Sequence, residues 1–117
     1  MFQITFSKQS LRELQKLLKP VQMELLDAVS VITKETLEKP HKLIGVLQRE
    51  GKTLYRIRAG DFRLYFELIE NDLNVNCILH KDTWADFAFR CKLPITEDQL
   101  IEKDPSFWTY LDNLSQK

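Results

Sequence analysis

The sequence predicts an α+β domain with an N-terminal strand, an αα-hairpin, a three-stranded antiparallel meander and a C-terminal helical tail. Three observations carry this reading. Residues 2–6, FQITF, alternate apolar and polar as a strand does. Leucines and valines then recur at helical spacing on both sides of Pro20. Finally, three strand-like runs separated by tight turns fill the stretch from Leu54 to His80.

The elements follow in order. Ser7 or Ser10 supplies an N-cap for a helix carrying Leu11, Leu14, Leu17 and Leu18. Pro20 punctuates that helix and suits position N1 of the next, whose face is Val21, Leu25, Val29 and Ile32. Residues 39–53 read as a connector with one apolar knot from Leu43 to Leu47. Leu54 to Arg58 and Phe62 to Ile69 form a hairpin across Ala59-Gly60-Asp61, with glycine free to take a positive φ. Asn71-Asp72 turns into the third strand, Leu73 to His80, and the helices are expected on one face of this sheet. Residues 83–93 follow as a helix capped by Thr83. After Pro94 the chain turns acidic, with Thr96 opening a capping box toward Asp98 or Gln99. An amphipathic stretch with Phe107, Trp108 and Leu111 closes it. Residues 1–93 are expected to form the domain, and 94–117 a tail that docks back on it.

The totals bound the function. A chain of 117 residues with 44% apolar composition and seven phenylalanines has the makings of one folded core. Lysine plus arginine equals aspartate plus glutamate at 17 each, so any nucleic-acid site is a local patch. Two cysteines, Cys77 and Cys91, suggest no disulfide framework and favour a reducing cytoplasm. With His80 they have no paired-ligand spacing, so neither a metal site nor a cofactor is expected. His41 lies in a polar connector and calls for no function. The N-terminus has no signal-peptide pattern, and no run reaches the roughly 18 apolar residues of a membrane helix.

The informative stretch is LYRIRAGDFRLYF, residues 54–66. Strand alternation puts Tyr55, Ile57, Phe62, Leu64 and Phe66 toward the helices. Arg56, Arg58, Arg63 and Tyr65 then project from the other, open face. Guanidinium groups that close repel unless an anion lies among them, either Asp61 and Glu67 of this chain or an external phosphate or carboxylate.

YRIRAGDFRLYFEL, residues 55–68, resembles the central hairpin of the RelE/ParE toxin superfamily of bacterial toxin–antitoxin systems. The order strand, helical hairpin, three strands resembles that family too, as does FSKQSLRELQKL near the start, so the similarity spans about residues 2–90. It implies a RelE-like fold and a toxin that cleaves mRNA on the ribosome. By motif position it implies Arg56 and Arg58 as phosphate-binding residues and Arg63 as the transition-state arginine. His80 and Lys81, just after the last strand, correspond to an acid/base and a further phosphate ligand. An antitoxin partner is implied as well. The chain departs from the family's RNases in two ways. It offers Trp84, Phe87 and Phe89 where they carry a tyrosine or histidine, and it is not basic overall. Two alternatives follow: a catalytically silent RelE-fold interaction module, and a ParE-like gyrase inhibitor.

Overall fold

A computed structural model of the chain describes residues 2–38, 44–49, 51–90 and 105–115. Its centre is a five-stranded sheet in the order β1-β5-β4-β3-β2. The strands are β1 (Gln3–Phe6), β2 (Ile44–Arg49), β3 (Lys52–Ala59), β4 (Phe62–Ile69) and β5 (Asp72–His80). β1 lies parallel to β5 with Gln3 opposite Asp72, and the other pairs are antiparallel. The helices are α1 (Lys8–Gln15), α2 (Lys19–Ser30), α3 (Lys34–Glu38), α4 (Lys81–Arg90) and α5 (Pro105–Ser115). No helix among the described residues is long and apolar enough to cross a membrane.

Ser7 caps α1, its Oγ accepting from the Ser10 backbone N–H at 3.2 Å. The same helix start satisfies β5 where β1 runs out. β1 ends at Phe6 opposite Val75, which leaves the next backbone groups of β5 without a strand on that side. Polar side chains take that role, because buried peptide groups need partners. Ser7 Oγ donates to Asn76 O at 2.5 Å, and Ser10 Oγ donates to Val75 O at 2.9 Å. The Gln9 side-chain amide donates to Ile78 O at 3.1 Å and accepts from Ile78 N–H at 3.0 Å. A register shift in β4–β5 skips Asn76, so Val75 opposes Phe66 while Cys77 opposes Tyr65. The bulge lets Val75 and Cys77 face opposite sides of the sheet.

Four expectations are corrected. The connector contains a strand, β2, which lines the edge beside β3. Gly45 and the flanking charged residues mask that strand in the sequence. The helical hairpin stops at Ser30, and Ile32 is buried from the turn before the separate short helix α3. The helix after β5 starts at Lys81, so Thr83 sits inside it and does not cap it. Above all, helices cover both faces. One core joins Leu14, Leu25, Val29 and Ile32 to Ile57, Leu64, Phe66 and Val75. A second joins Leu47, Leu54, Tyr65, Cys77 and Leu79 to Trp84 and Phe87 of α4 and to Phe107, Trp108 and Leu111 of α5. The expected cap at Thr96 with Asp98 or Gln99, the end of the helix past Arg90, Cys91 and His41 lie outside the described residues.

Candidate functional site

The arginine hairpin sits at the middle of the sheet, and the ladder fixes which side chains are neighbours. Gly45, Arg56, Tyr65 and Cys77 form one row across β2, β3, β4 and β5. Arg58, Arg63 and Leu79 form the next. Arg56, Arg58 and Arg63 therefore share one face, and Arg58 and Arg63 are directly opposite each other. Side chains so paired have Cβ atoms about 5 Å apart, and like charges there destabilise the pair.

Three features make the cluster tolerable. Trp84, from the first turns of α4, lies over Arg63, with the guanidinium carbon 4.0 Å from the ring centroid. That cation–π contact gives the Arg63 charge a favourable neighbour on the indole face. Gly45 opens a slot for Arg56: a Cβ there would collide with Nη2 and come within 2.8 Å of Cζ. Each of the three arginines is also engaged within the chain. The Trp84 indole N–H is buried and finds no acceptor among the described residues.

This face is covered. Arg56 is only 5% exposed, Tyr65 is fully buried, and Arg58 and Arg63 are half-buried. Phe107 meets the Tyr65 ring edge-on at 5.5 Å and the Phe87 ring at 5.4 Å. Cys77 is sealed beneath, its thiol donating weakly to Leu111 O at 3.6 Å. Burial first, then the nearby Asp112 carboxylate, pushes the thiol up from 9.0 to about 12, so it is protonated and inert at neutral pH.

The other site residues lie elsewhere. His80 is opposite Phe62, and its ring meets that phenylalanine edge-on at 5.1 Å. Phe62 belongs to the α1–α2 side of the sheet, so the structure does not bring His80 into the arginine rows. Its Nδ1 accepts from the Asp82 backbone N–H at 3.1 Å. Lys81 is exposed at the hairpin end of the sheet, with Nζ 3.4 Å from Asp61 Oδ1. Among the described residues no group of three or more His, Cys, Asp or Glu gathers to hold a metal. Sequence reasoning missed Gly45 and the part played by Trp84. The signal for Gly45 was alternation on either side of it: Ile44 and Val46 on one face, Leu47 on its own.

No protein-family model matches the sequence, and no curated protein matches it. Solved structures do share the fold. One is an archaeal RelE–RelB complex from Pyrococcus horikoshii OT3, 21% identical with a TM-score of 0.56. That likeness covers 68% of this chain and 93% of the other. Another is the toxin–antitoxin complex RelBE2 from Mycobacterium tuberculosis, 17% identical with a TM-score of 0.50, covering 68% and 96%. The chain thus has a RelE-like fold, and about a third of it lies outside the shared part.

Proposed function

We propose that this chain is a RelE-like toxin that cleaves mRNA on the ribosome, with Arg56, Arg58 and Arg63 acting on the RNA phosphate. The observation behind the proposal is the placement of three guanidinium groups in adjoining rows on one face of a RelE-like sheet. Attack of a ribose 2′-hydroxyl on the neighbouring phosphate builds negative charge on the phosphoryl oxygens, and preoriented donors favour that state. Arg58 and Arg56 hold the phosphates through their planar forks, and Arg63 meets the developing charge. Lys81, at the end of the sheet, extends the phosphate track. Wild-type protein is expected to cut mRNA in a translation extract, and a folded Arg63→Ala variant is not. Absence of cleavage by the folded wild type would refute the reading.

The same face suits a protein partner. The neighbours in fold are toxin–antitoxin complexes, and the partner proposed here is an antitoxin whose acidic segment crosses the arginines. Carboxylates there would be held by charge-assisted hydrogen bonds of roughly 1.5–3 kcal/mol each. A second reading, a silent RelE-fold interaction module, is favoured by the near-complete burial of Arg56 and Tyr65. Expression without any partner separates the two: growth arrest supports the toxin, and harmless accumulation supports the module.

A further inference from the structure

We infer that α5 is a built-in cover of the arginine face, which must leave the sheet before an RNA strand reaches Arg56. The inference rests on the RNA reading above and adds a regulation to it. α5 buries Phe107, Trp108 and Leu111 against Leu54, Tyr65 and Cys77. Leu54 precedes Arg56 by two residues on the same strand and face, and Tyr65 and Cys77 complete the Arg56 row. At the far end of β3, Lys52 Nζ stands 3.9 Å from Asp112 Oδ1. The helix therefore lies along the patch that a strand gripping Arg56 would have to enter. The arginines are engaged within the chain in this arrangement, so an incoming phosphate has to displace existing contacts.

α5 is also placed to leave. It contributes no strand to the sheet, and it is the last described element. The Lys52–Asp112 ion pair at its edge is about half exposed on both sides and adds little. An 11-residue helix is marginal on its own, so release and unfolding of α5 are one event. Elements held to a sheet by side-chain packing alone open at a fraction of the global stability. When only the open fraction binds, apparent affinity falls by that fraction.

Two variants of the 117-residue chain test this, with a short single-stranded uridine-rich RNA as the probe and fluorescence anisotropy as the readout. Trp108→Ala removes an anchor of α5 and leaves the three arginines themselves unaltered. Leu111→Cys, with Cys91→Ser, is refolded from urea under oxidising glutathione, so that Cys77, unreactive once buried beside the Leu111 carbonyl, pairs with the new thiol while the chain is still open. Trp108→Ala is expected to bind about tenfold tighter than wild type, with faster hydrogen exchange over residues 105–115. The oxidised, locked form is expected to bind about tenfold weaker or not at all, and reduction restores binding. A locked form, its disulfide confirmed by mass, that binds like wild type overturns the inference and leaves the RNA reading standing. If Trp108→Ala shows a released α5 and still fails to bind RNA, the RNA reading falls and the cover with it. If that variant does not fold, the locked form decides alone.

Discussion

Gly45→Ala tests whether the Arg56 guanidinium truly occupies the slot beside β2. The new Cβ would lie 2.8 Å from Arg56 Cζ and closer still to Nη2. Arginine is flexible, but at 5% exposure it has no solvent to swing into. Overfilling such a site costs about 1–3 kcal/mol. Replacing glycine within a strand returns about 0.5–1 kcal/mol of chain entropy. The net loss is about 1–2 kcal/mol, and for a domain of this size each kcal/mol lowers Tm by about 4 °C. The decisive comparison is the background. In Arg56→Ala the collision partner is gone, so Gly45→Ala becomes neutral or stabilising, and the cycle gives a coupling of about 2 kcal/mol. Urea denaturation of the four proteins measures it. Equal effects of Gly45→Ala in both backgrounds would show that the guanidinium is not there.

Arg56→Met fills the same slot with an apolar chain, and thermal melting should show stability kept or raised while RNA binding is lost; a drop beyond about 2 kcal/mol would make Arg56 structural. Trp84→Leu and Arg63→Ala, combined in a denaturation cycle, should couple by about 0.5–1 kcal/mol; additive losses would remove the cation–π contact from the account. Because the Cys77 thiol is raised to about 12 in the folded state, the native form holds its proton more tightly than the unfolded chain. That stabilisation is complete below the ordinary value of 9.0 and fades as pH climbs toward 12. By pH 10 wild type should lose about 1.4 kcal/mol more than Cys77→Val does, and parallel stability profiles would refute the shift. Ending the chain at Leu93 removes Phe107, Trp108 and Leu111 from the second core and should lower Tm by several degrees; an unchanged Tm would count against the tail as part of the domain.

Much of the fold was legible because its signals were local. β1, the helical hairpin and the strands around Gly60 each announce themselves by period and turn residues. What escaped was decided by tertiary partners. Ser10 reads in the sequence only as a helix cap and Gln9 carries no signal, yet both are buried, because β5 outruns β1 and needs their side chains as hydrogen-bond partners. β2 was hidden by Gly45, a residue that weakens a strand in isolation and is present because Arg56 lies across from it. The alternation Leu54, Arg56, Arg58 looks like a solvated face. Only the distant Trp84, Phe87 and Phe107 turn it into a covered one. The arginines' shared face was readable from strand parity alone. The separation of His80 from them was not, since it depends on the bulge at Asn76, which shifts parity along β5.

Stability alone does not explain the facing pair Gly45 and Arg56. A glycine in a strand interior is worse than alanine by about 0.5–1 kcal/mol. A buried guanidinium carries a desolvation cost of several kcal/mol that its contacts only partly offset. Leucine at both positions would continue the Leu47–Leu54 row next to them at no such cost. Two unfavourable choices in register make sense together, because the missing Cβ holds the guanidinium in a fixed place and orientation. A fixed fork is what a phosphate or carboxylate needs in order to be bound through two bonds at once. The balanced charge of the chain fits the same logic. With 17 residues of each sign there is little long-range field to gather an anion, so affinity must come from a few preoriented contacts. A chain built that way trades fast capture for control over when the contacts are presented, and a helix lying along the same face supplies that control.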